Sequence, residues 1–213
     1  MPKYFVVVAG NIGAGKTSLA RRMAARLGWD AFYESVDDNP YLPDFYRDMK
    51  TWSFHLQVFF LGHRARAHRY LCTKHPVSSI LDRSIYEDAE IFARALHAMG
   101  NMQDRDLGAY RGVYDEVIRE LPTPHLLVYL RASVPTLMER IRKRSREIES
   151  GITESYLTLL GSFYEEGMER FDLCPVLTIP SDELDFVEHE QHLTTIVNRI
   201  LDRLKGKEEI SFR

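Results

Sequence analysis

The stretch Tyr4-Phe5-Val6-Val7-Val8-Ala9-Gly10-Asn11-Ile12-Gly13-Ala14-Gly15-Lys16-Thr17-Ser18 decides the fold. Its first six residues form an apolar, strand-prone run, and Gly10 to Thr17 then fit the pattern Gly, four residues, Gly-Lys-Thr. Glycines let the backbone curl until its N–H groups converge on one anion, and a helix that follows adds its positive N-terminal end. Gly10, Asn11, Ile12, Gly13, Ala14, Gly15 and Ser18 are therefore expected around a triphosphate. Lys16 is expected to reach the outer phosphates, and the Thr17 hydroxyl to serve as a magnesium ligand. The bland alternative is a turn that only joins a strand to a helix. Eight residues in register, three of them glycine, argue against it.

Outward from this loop, strand-like runs at 4–9, 31–34, 77–82, 125–130 and 175–179 are short and rich in Val, Leu, Ile or Phe. They alternate with helical stretches at 15–27, 41–49, 51–73, 84–99, 104–120, 133–149, 153–170 and 187–205. Such alternation predicts an α/β fold, a phosphate-loop three-layer sandwich with a five-stranded parallel sheet flanked by helices. Ligands of these sheets bind beyond the C-terminal strand ends. Glu34 and Asp82, which close the second and third strands, are expected beside the loop. The reading is one domain over 1–205, with a lid at about 140–152 and a solvated tail at 206–213.

The net charge of −3 offers no electrostatic case for nucleic acid or an anionic membrane as partner. Cys72 and Cys174 lack metal-ligand spacing and read as small core residues in a reducing compartment. No apolar run is long enough to span a bilayer and no leader precedes Tyr4, so a cytoplasmic location is expected. The histidines show no ligand spacing either; His55, His63 and His68 read as surface or interface residues.

A phosphate loop alone fits GTPases, motors and small-molecule kinases. The chain has no Asn-Lys-x-Asp guanine reader. It does have Arg140-Ile141-Arg142-Lys143-Arg144-Ser145-Arg146, where helical spacing stacks Arg140 with Arg144 and Arg142 with Arg146. A solvated basic face is the ordinary reading of such a run; behind a phosphate loop it suits guanidiniums that close over a transferring phosphoryl group. Glu34 could accept the proton of an attacking hydroxyl. In Asp82-Arg83-Ser84, Asp82 is placed to support magnesium, Arg83 could pair with the acceptor or a phosphate, and Ser84 with Glu87 spells a capping box. Trp52, Phe54, Gln57 and Arg64 lie along one helix, and Asp88 and Phe92 share a face of the next. Aromatic rings beside an amide, a guanidinium and a carboxylate suit a flat heterocycle. The plainer alternative makes Trp52 and Phe92 core and Arg64–Asp88 an ion pair.

Taken together, the chain resembles the deoxyribonucleoside kinase family from Phe5 to about Phe186. The resemblance rests on the Gly10–Thr17 loop, Tyr33-Glu34-Ser35-Val36, Trp52-Ser53-Phe54-His55-Leu56-Gln57, Asp82-Arg83-Ser84-Ile85-Tyr86-Glu87-Asp88 and Arg140–Arg146, in family order and spacing. It implies transfer of the ATP γ-phosphate, with Mg²⁺, to the 5′-hydroxyl of a deoxynucleoside. It implies Glu34 as general base with Arg83 beside it, and Lys16, Arg140, Arg144 and Arg146 acting on the phosphates. Gln57, Arg64 and Asp88 are implied as readers of the base, Phe92 as the ring stacked on it, and Trp52 as a wall of the cleft. Tyr46 and Glu149 are implied to hold the sugar 3′-hydroxyl, and Asp185-Phe186 to close over the adenine of ATP. Aspartate at position 82, followed by Ile-Tyr-Glu-Asp, looks like the bacterial deoxyadenosine and deoxyguanosine kinases. Retention of Arg64 with Asp88 favours deoxyadenosine, then deoxyguanosine, then deoxycytidine. Family members are usually dimeric, and the helices at 51–73 and 84–99 carry more apolar residues (Phe59, Phe60, Leu61, Ile91, Ala93, Leu96) than one core face needs. The rival enzyme is a nucleoside monophosphate kinase of the thymidylate kinase kind. Glu34, Tyr46 and Glu149 suit an uncharged acceptor better. The rival from another class is a non-catalytic nucleotide-binding module, which has no need of Lys16, Thr17, Glu34 and Arg83 together.

Overall fold

The computed structural model describes residues 2–33, 39–145 and 151–206 of the chain. Among them, β1 (Phe5–Gly10), β2 (Asp30–Phe32), β3 (Ser79–Asp82), β4 (Leu126–Arg131) and β5 (Val176–Pro180) form one sheet of order β2-β3-β1-β4-β5. Every neighbouring pair is parallel. The central place of β1 follows from its composition. Phe5 to Ala9 have no polar side chain to present to water, and all five are fully buried.

Alternation along the strands divides the core in two. Val6 and Val8 of β1, with Leu126, Val128 and Leu130 of β4, pack against α1 (Lys16–Leu27), α7 (Val134–Arg144) and α9 (Glu190–Lys205). Ala9, Leu127 and Tyr129 face the opposite layer, which holds α3 (Met49–Thr73), α6 (Asp104–Arg119) and α8 (Glu154–Arg170). The stretch expected as one helix over 84–99 belongs to this second layer and is interrupted. It runs as α4 (Ile85–Glu87), a π-helical segment (Asp88–Ala93) and α5 (Arg94–Ala98). A short α2 (Leu42–Arg47) leads into α3, whose N-cap Asp48 accepts from the Thr51 amide.

Two expectations are corrected here. Leu61, Ile91, Ala93 and Leu96, read as surplus apolar surface, are at most 2% exposed within this single chain. The second layer absorbs Leu61, Ile91 and Ala93, Leu96 packs in a smaller cluster with Leu42, Phe45, Leu56 and Met102, and α3 presents Val58 at 40% exposure. His68, read as a surface or interface residue, is fully buried with its ring edge-on to Phe5. Its Nε2 lies 2.7 Å from the Pro122 carbonyl, and burial pushes its pKa below the ordinary value of 6.5. No helix among the described residues is long and apolar enough to cross a membrane.

Parallel pairing places the strand ends that matter at one edge. Val8 of β1 is in register with Asp82, the last residue of β3, so Asp82 stands beside the loop that leaves β1 two residues later.

Candidate active site

The loop between β1 and α1 turns on glycines that no other residue could replace without strain. Gly10 has φ 150°, and a methyl there would meet the Leu130 carbonyl oxygen at 2.8 Å. Gly13 has φ 85°, with the Leu137 carbonyl 2.9 Å from the same hypothetical carbon. Asn11 accepts from the Ala14 amide across the turn (3.1 Å), and its side chain accepts from the Ile12 amide and donates to the Leu157 carbonyl of α8. The N-cap of α1 is Gly15, and no side chain caps it among the described residues. The first N–H groups of α1 are the kind of donor set that takes an anion. Lys16 is 8% exposed, and its Nζ donates to the Gly10 and Asn11 carbonyls (2.7 and 3.1 Å), folded back along the loop it serves.

Thr17 and Asp82 meet as expected. The Thr17 hydroxyl donates to Asp82 Oδ2 at 2.5 Å, and Asp82 is buried at the end of β3. A hydroxyl and a carboxylate side by side at the mouth of the loop are hard oxygen donors and fit a magnesium ion, which takes few protein ligands and completes its shell with phosphate and water.

Arg83 follows in a left-handed conformation (φ 73°), a strained choice for a residue with a side chain. Its amide donates to the Val8 carbonyl (3.0 Å), and its guanidinium lies 4.3 Å from the centre of the Phe92 ring. The sheet contact holds the strained backbone, and the ring aims the charge. Ser84 then caps α4, and the full capping box with Glu87 is present.

A second group of buried polar side chains stands on α3 and the π-helical segment. Arg64 and Asp88 form an ion pair with side chains 5% and 2% exposed, and Arg64 also lies 4.9 Å from the Phe60 ring centre. Gln57, two turns before Arg64 and 4% exposed, keeps a buried side-chain oxygen with no hydrogen-bond partner among the described residues. Trp52 packs with Tyr41 in a small cluster around Leu42, Phe45, Leu56, Leu96 and Met102. Phe92 is 7% exposed and belongs to the larger core. Phe92 thus has the core role of the plainer alternative, with the Arg83 guanidinium over its ring, while Trp52 packs partly buried against the smaller cluster. Tyr46 stands on α2 with 46% of its surface exposed. Glu34, Arg146 and Glu149 lie outside the described residues.

Arg140 differs from its expected place over the triphosphate. Its two terminal nitrogens donate to the Ala14 carbonyl (3.2 Å), the Ser181 hydroxyl (2.8 Å) and the Ser181 carbonyl (2.7 Å). It ties the phosphate loop to the turn after β5. Arg144 sits exposed in the last turn of α7, and Ser145 ends that helix in a left-handed conformation. In the turn after β5, Asp185 accepts from the Glu188 and Val187 amides (both 3.0 Å), and these bonds hold its carboxyl below the usual range. Phe186 is 2% exposed, and a Cβ on Gly15 would stand 3.1 Å from its ring. The pair reaches the glycine loop through packing by Phe186, while Asp185 organises its own turn.

Sequence reasoning missed the residues that brace the loop. Glu87 Oε1 accepts from the Gly10 amide and from the Tyr164 hydroxyl, and Ser181 backs Arg140. Ser84-x-x-Glu87 signals one oxygen of Glu87; no local pattern signals the other, which bonds across 77 residues.

Known proteins carry the same organisation. The family model described as deoxynucleoside kinase matches residues 6–205. The deoxyadenosine/deoxycytidine kinase of Bacillus subtilis (strain 168) is 35% identical over 203 residues, covering 94% of this chain and 93% of that protein. The deoxyguanosine kinase of Lactobacillus johnsonii is 37% identical over 209 residues, with 94% and 92% covered. The structure of deoxyadenosine kinase from M. mycoides with bound dATP superposes with a TM-score of 0.81 at 29% identity, covering 93% of this chain and 100% of that one.

Proposed function

The chain belongs to the deoxynucleoside kinase family and is an ATP-dependent deoxynucleoside kinase; we propose that its acceptor is a purine deoxynucleoside in nucleotide salvage, deoxyadenosine ahead of deoxyguanosine, with deoxycytidine third. The observation that carries this preference is the side-chain oxygen of buried Gln57, which has no hydrogen-bond partner among the described residues and lies on the same face of α3 as Arg64, the partner of Asp88. A glutamine amide reads adenine by accepting from the exocyclic amine and donating to a ring nitrogen. A base with the wrong edge leaves that oxygen and the buried pair unmatched, which is how polar sites discriminate strongly. Relatives named for deoxyadenosine, deoxycytidine and deoxyguanosine support the same range.

In this reading Lys16 and the loop amides hold the β- and γ-phosphates of ATP. Glu34 takes the proton of the 5′-hydroxyl as its oxygen bonds to the γ-phosphorus and the bond from that phosphorus to the bridging oxygen breaks, leaving ADP. Arg83, Arg144 and Arg146 balance the charge that spreads over the phosphoryl oxygens. Arg140 acts one step back, by holding Ala14 and Ser181 together. Tyr46 and Glu149 hold the 3′-hydroxyl. Thr17 and Asp82 would hold Mg²⁺, which when bound neutralises the phosphates. The catalytic unit is residues 1–205, with a lid at about 140–152 and a tail beyond 205, working in the cytoplasm as a homodimer. Support for the dimer narrows to the outer side of α3, where Val58 is exposed.

The test is ATP turnover with Mg²⁺ against deoxyadenosine, deoxyguanosine, deoxycytidine, thymidine and their monophosphates. Purine deoxynucleosides should lead in kcat/KM. A lead for thymidine would overturn the reading of Gln57, Arg64 and Asp88.

A further inference from the structure

Glu87 is 1% exposed and receives four hydrogen bonds. On one side, Oε1 accepts from the Gly10 amide (3.1 Å) and the Tyr164 hydroxyl (2.7 Å). On the other, Oε2 accepts from the Ser84 amide (2.7 Å) and the Ser84 hydroxyl (3.0 Å). Two carboxylate oxygens offer about four lone-pair sites, so the group is saturated by donors. A capping box needs only the Ser84 side. The other oxygen is spent on the first peptide of the phosphate loop, at a glycine whose φ of 150° few residues adopt.

We infer that Glu87 is a positioning residue for phosphoryl transfer, one carboxylate that locks the entry of the phosphate loop to the helix carrying the acceptor-binding residues. Gly10 opens the donor loop, and its carbonyl also receives the Lys16 ammonium (2.7 Å). Asp88, the next residue after Glu87, is paired with Arg64 on the acceptor side. Donor and acceptor sites therefore share a rigid joint one residue wide. Tyr164 completes it from α8, its hydroxyl within 2.8 Å of the Gly10 carbonyl and 2.7 Å of Glu87. Burial and then the Glu87 charge push that phenol well above its ordinary pKa, so it stays a donor.

The chemistry of Glu87→Gln makes the inference specific. The amide keeps its oxygen toward Ser84 and preserves the cap, which turns its NH₂ toward Gly10 and Tyr164. Tyr164 can adapt, because it can donate to the Gly10 carbonyl and accept from the amide. The Gly10 N–H cannot. The damage is thus confined to the loop entry.

The inference rests on the kinase reading, so donor binding is measured both by kinetics and directly, by calorimetry with an unhydrolysable ATP analogue. For Glu87→Gln, KM for ATP and the analogue Kd should rise on the order of tenfold or more, the worth of one hydrogen bond to a charged acceptor. KM for the deoxynucleoside should stay within about twofold, since the Asp88 side is untouched. Ser84→Ala serves as the structural control: it should lower Tm while leaving the analogue Kd unchanged. A Glu87→Gln variant that loses Tm with unchanged analogue affinity would make Glu87 a helix cap only and overturn the inference. Equal losses for donor and acceptor would do the same. If the wild type phosphorylates no deoxynucleoside yet Glu87→Gln still weakens the analogue, the kinase reading falls and the role of Glu87 stands.

Discussion

Replacing Asp88 by Asn removes one charge from a pair that water barely reaches, the Arg64 and Asp88 side chains being 5% and 2% exposed. Breaking a buried pair from one side costs about 3–5 kcal/mol, because the remaining ion keeps its desolvation penalty. Two features pull the expected value to the lower end. Asn still offers an oxygen to the guanidinium, and the Phe60 ring, 4.9 Å from it, retains a cation–π contact of about 0.5–2 kcal/mol. A loss of about 3 kcal/mol corresponds to a fall in Tm of about 6–12 °C for a chain of this size. The same substitution should compress the kcat/KM ratio of deoxyadenosine over thymidine by about ten- to a hundredfold, since the pair no longer penalises an unmatched base. Scanning calorimetry and the two-substrate comparison read these effects separately. The double variant Arg64→Met with Asp88→Leu separates them further. Apolar replacement of a buried pair is often neutral for stability, so Tm should return towards wild type while base selectivity stays lost. If Asp88→Asn melts within about 2 °C of wild type with its base preference intact, the pair is neither a buried cost nor a reader.

Gly10→Ala should abolish ATP binding and destabilise by roughly 1–3 kcal/mol, because the new methyl meets the Leu130 carbonyl at 2.8 Å; a soluble, folded variant that binds ATP normally would show that the loop entry can shift. Glu34→Gln should lower turnover by roughly two to four decades with the fold retained, and near-normal turnover would remove Glu34 from the role of base. His68 is held neutral by burial, its folded pKa below the unfolded 6.5. The unfolded chain then binds the proton first, so stability present above about pH 6.5 is lost as pH falls towards the folded value. Denaturant midpoints from pH 8 to pH 5 should show this slope, and His68→Gln should flatten it.

The fold was legible because its signals are local. The run Phe5–Ala9, short, apolar and followed at once by the glycine loop, reads as a strand, and the observed β1 is fully buried through those residues. The meeting of Thr17 with Asp82 was also legible, because parallel register carries the ends of β1 and β3 to one edge whatever the rest of the chain does. The Ser84–Glu87 box was readable from spacing alone. The π-helical segment was not: Asp88 and Phe92 satisfy ordinary helical spacing, and the segment packs on α8, where Ile91 Cδ1 would lie 3.2 Å from a Cβ on Gly167. Arg140 belongs to a basic run, and nothing in that run says that its hydrogen bonds go to Ala14 and Ser181 rather than outward.

The sequence by itself determined the chain's family and the parallel sheet. These depend on periodicity and on motifs a few residues long, where sterics and hydrogen bonding act between near neighbours. Only the tertiary structure decided which way each polar group is committed. It decided that His68 is a neutral core residue, that the apolar surplus of the 84–99 stretch is consumed inside one chain, and that one carboxylate at Glu87 serves a cap and a phosphate loop 77 residues away. A side chain with several donors or acceptors has no preference written in its own residue type. Its partners are chosen by whatever the packing of distant segments leaves unsatisfied beside it, and burial makes that choice binding by raising the cost of every alternative.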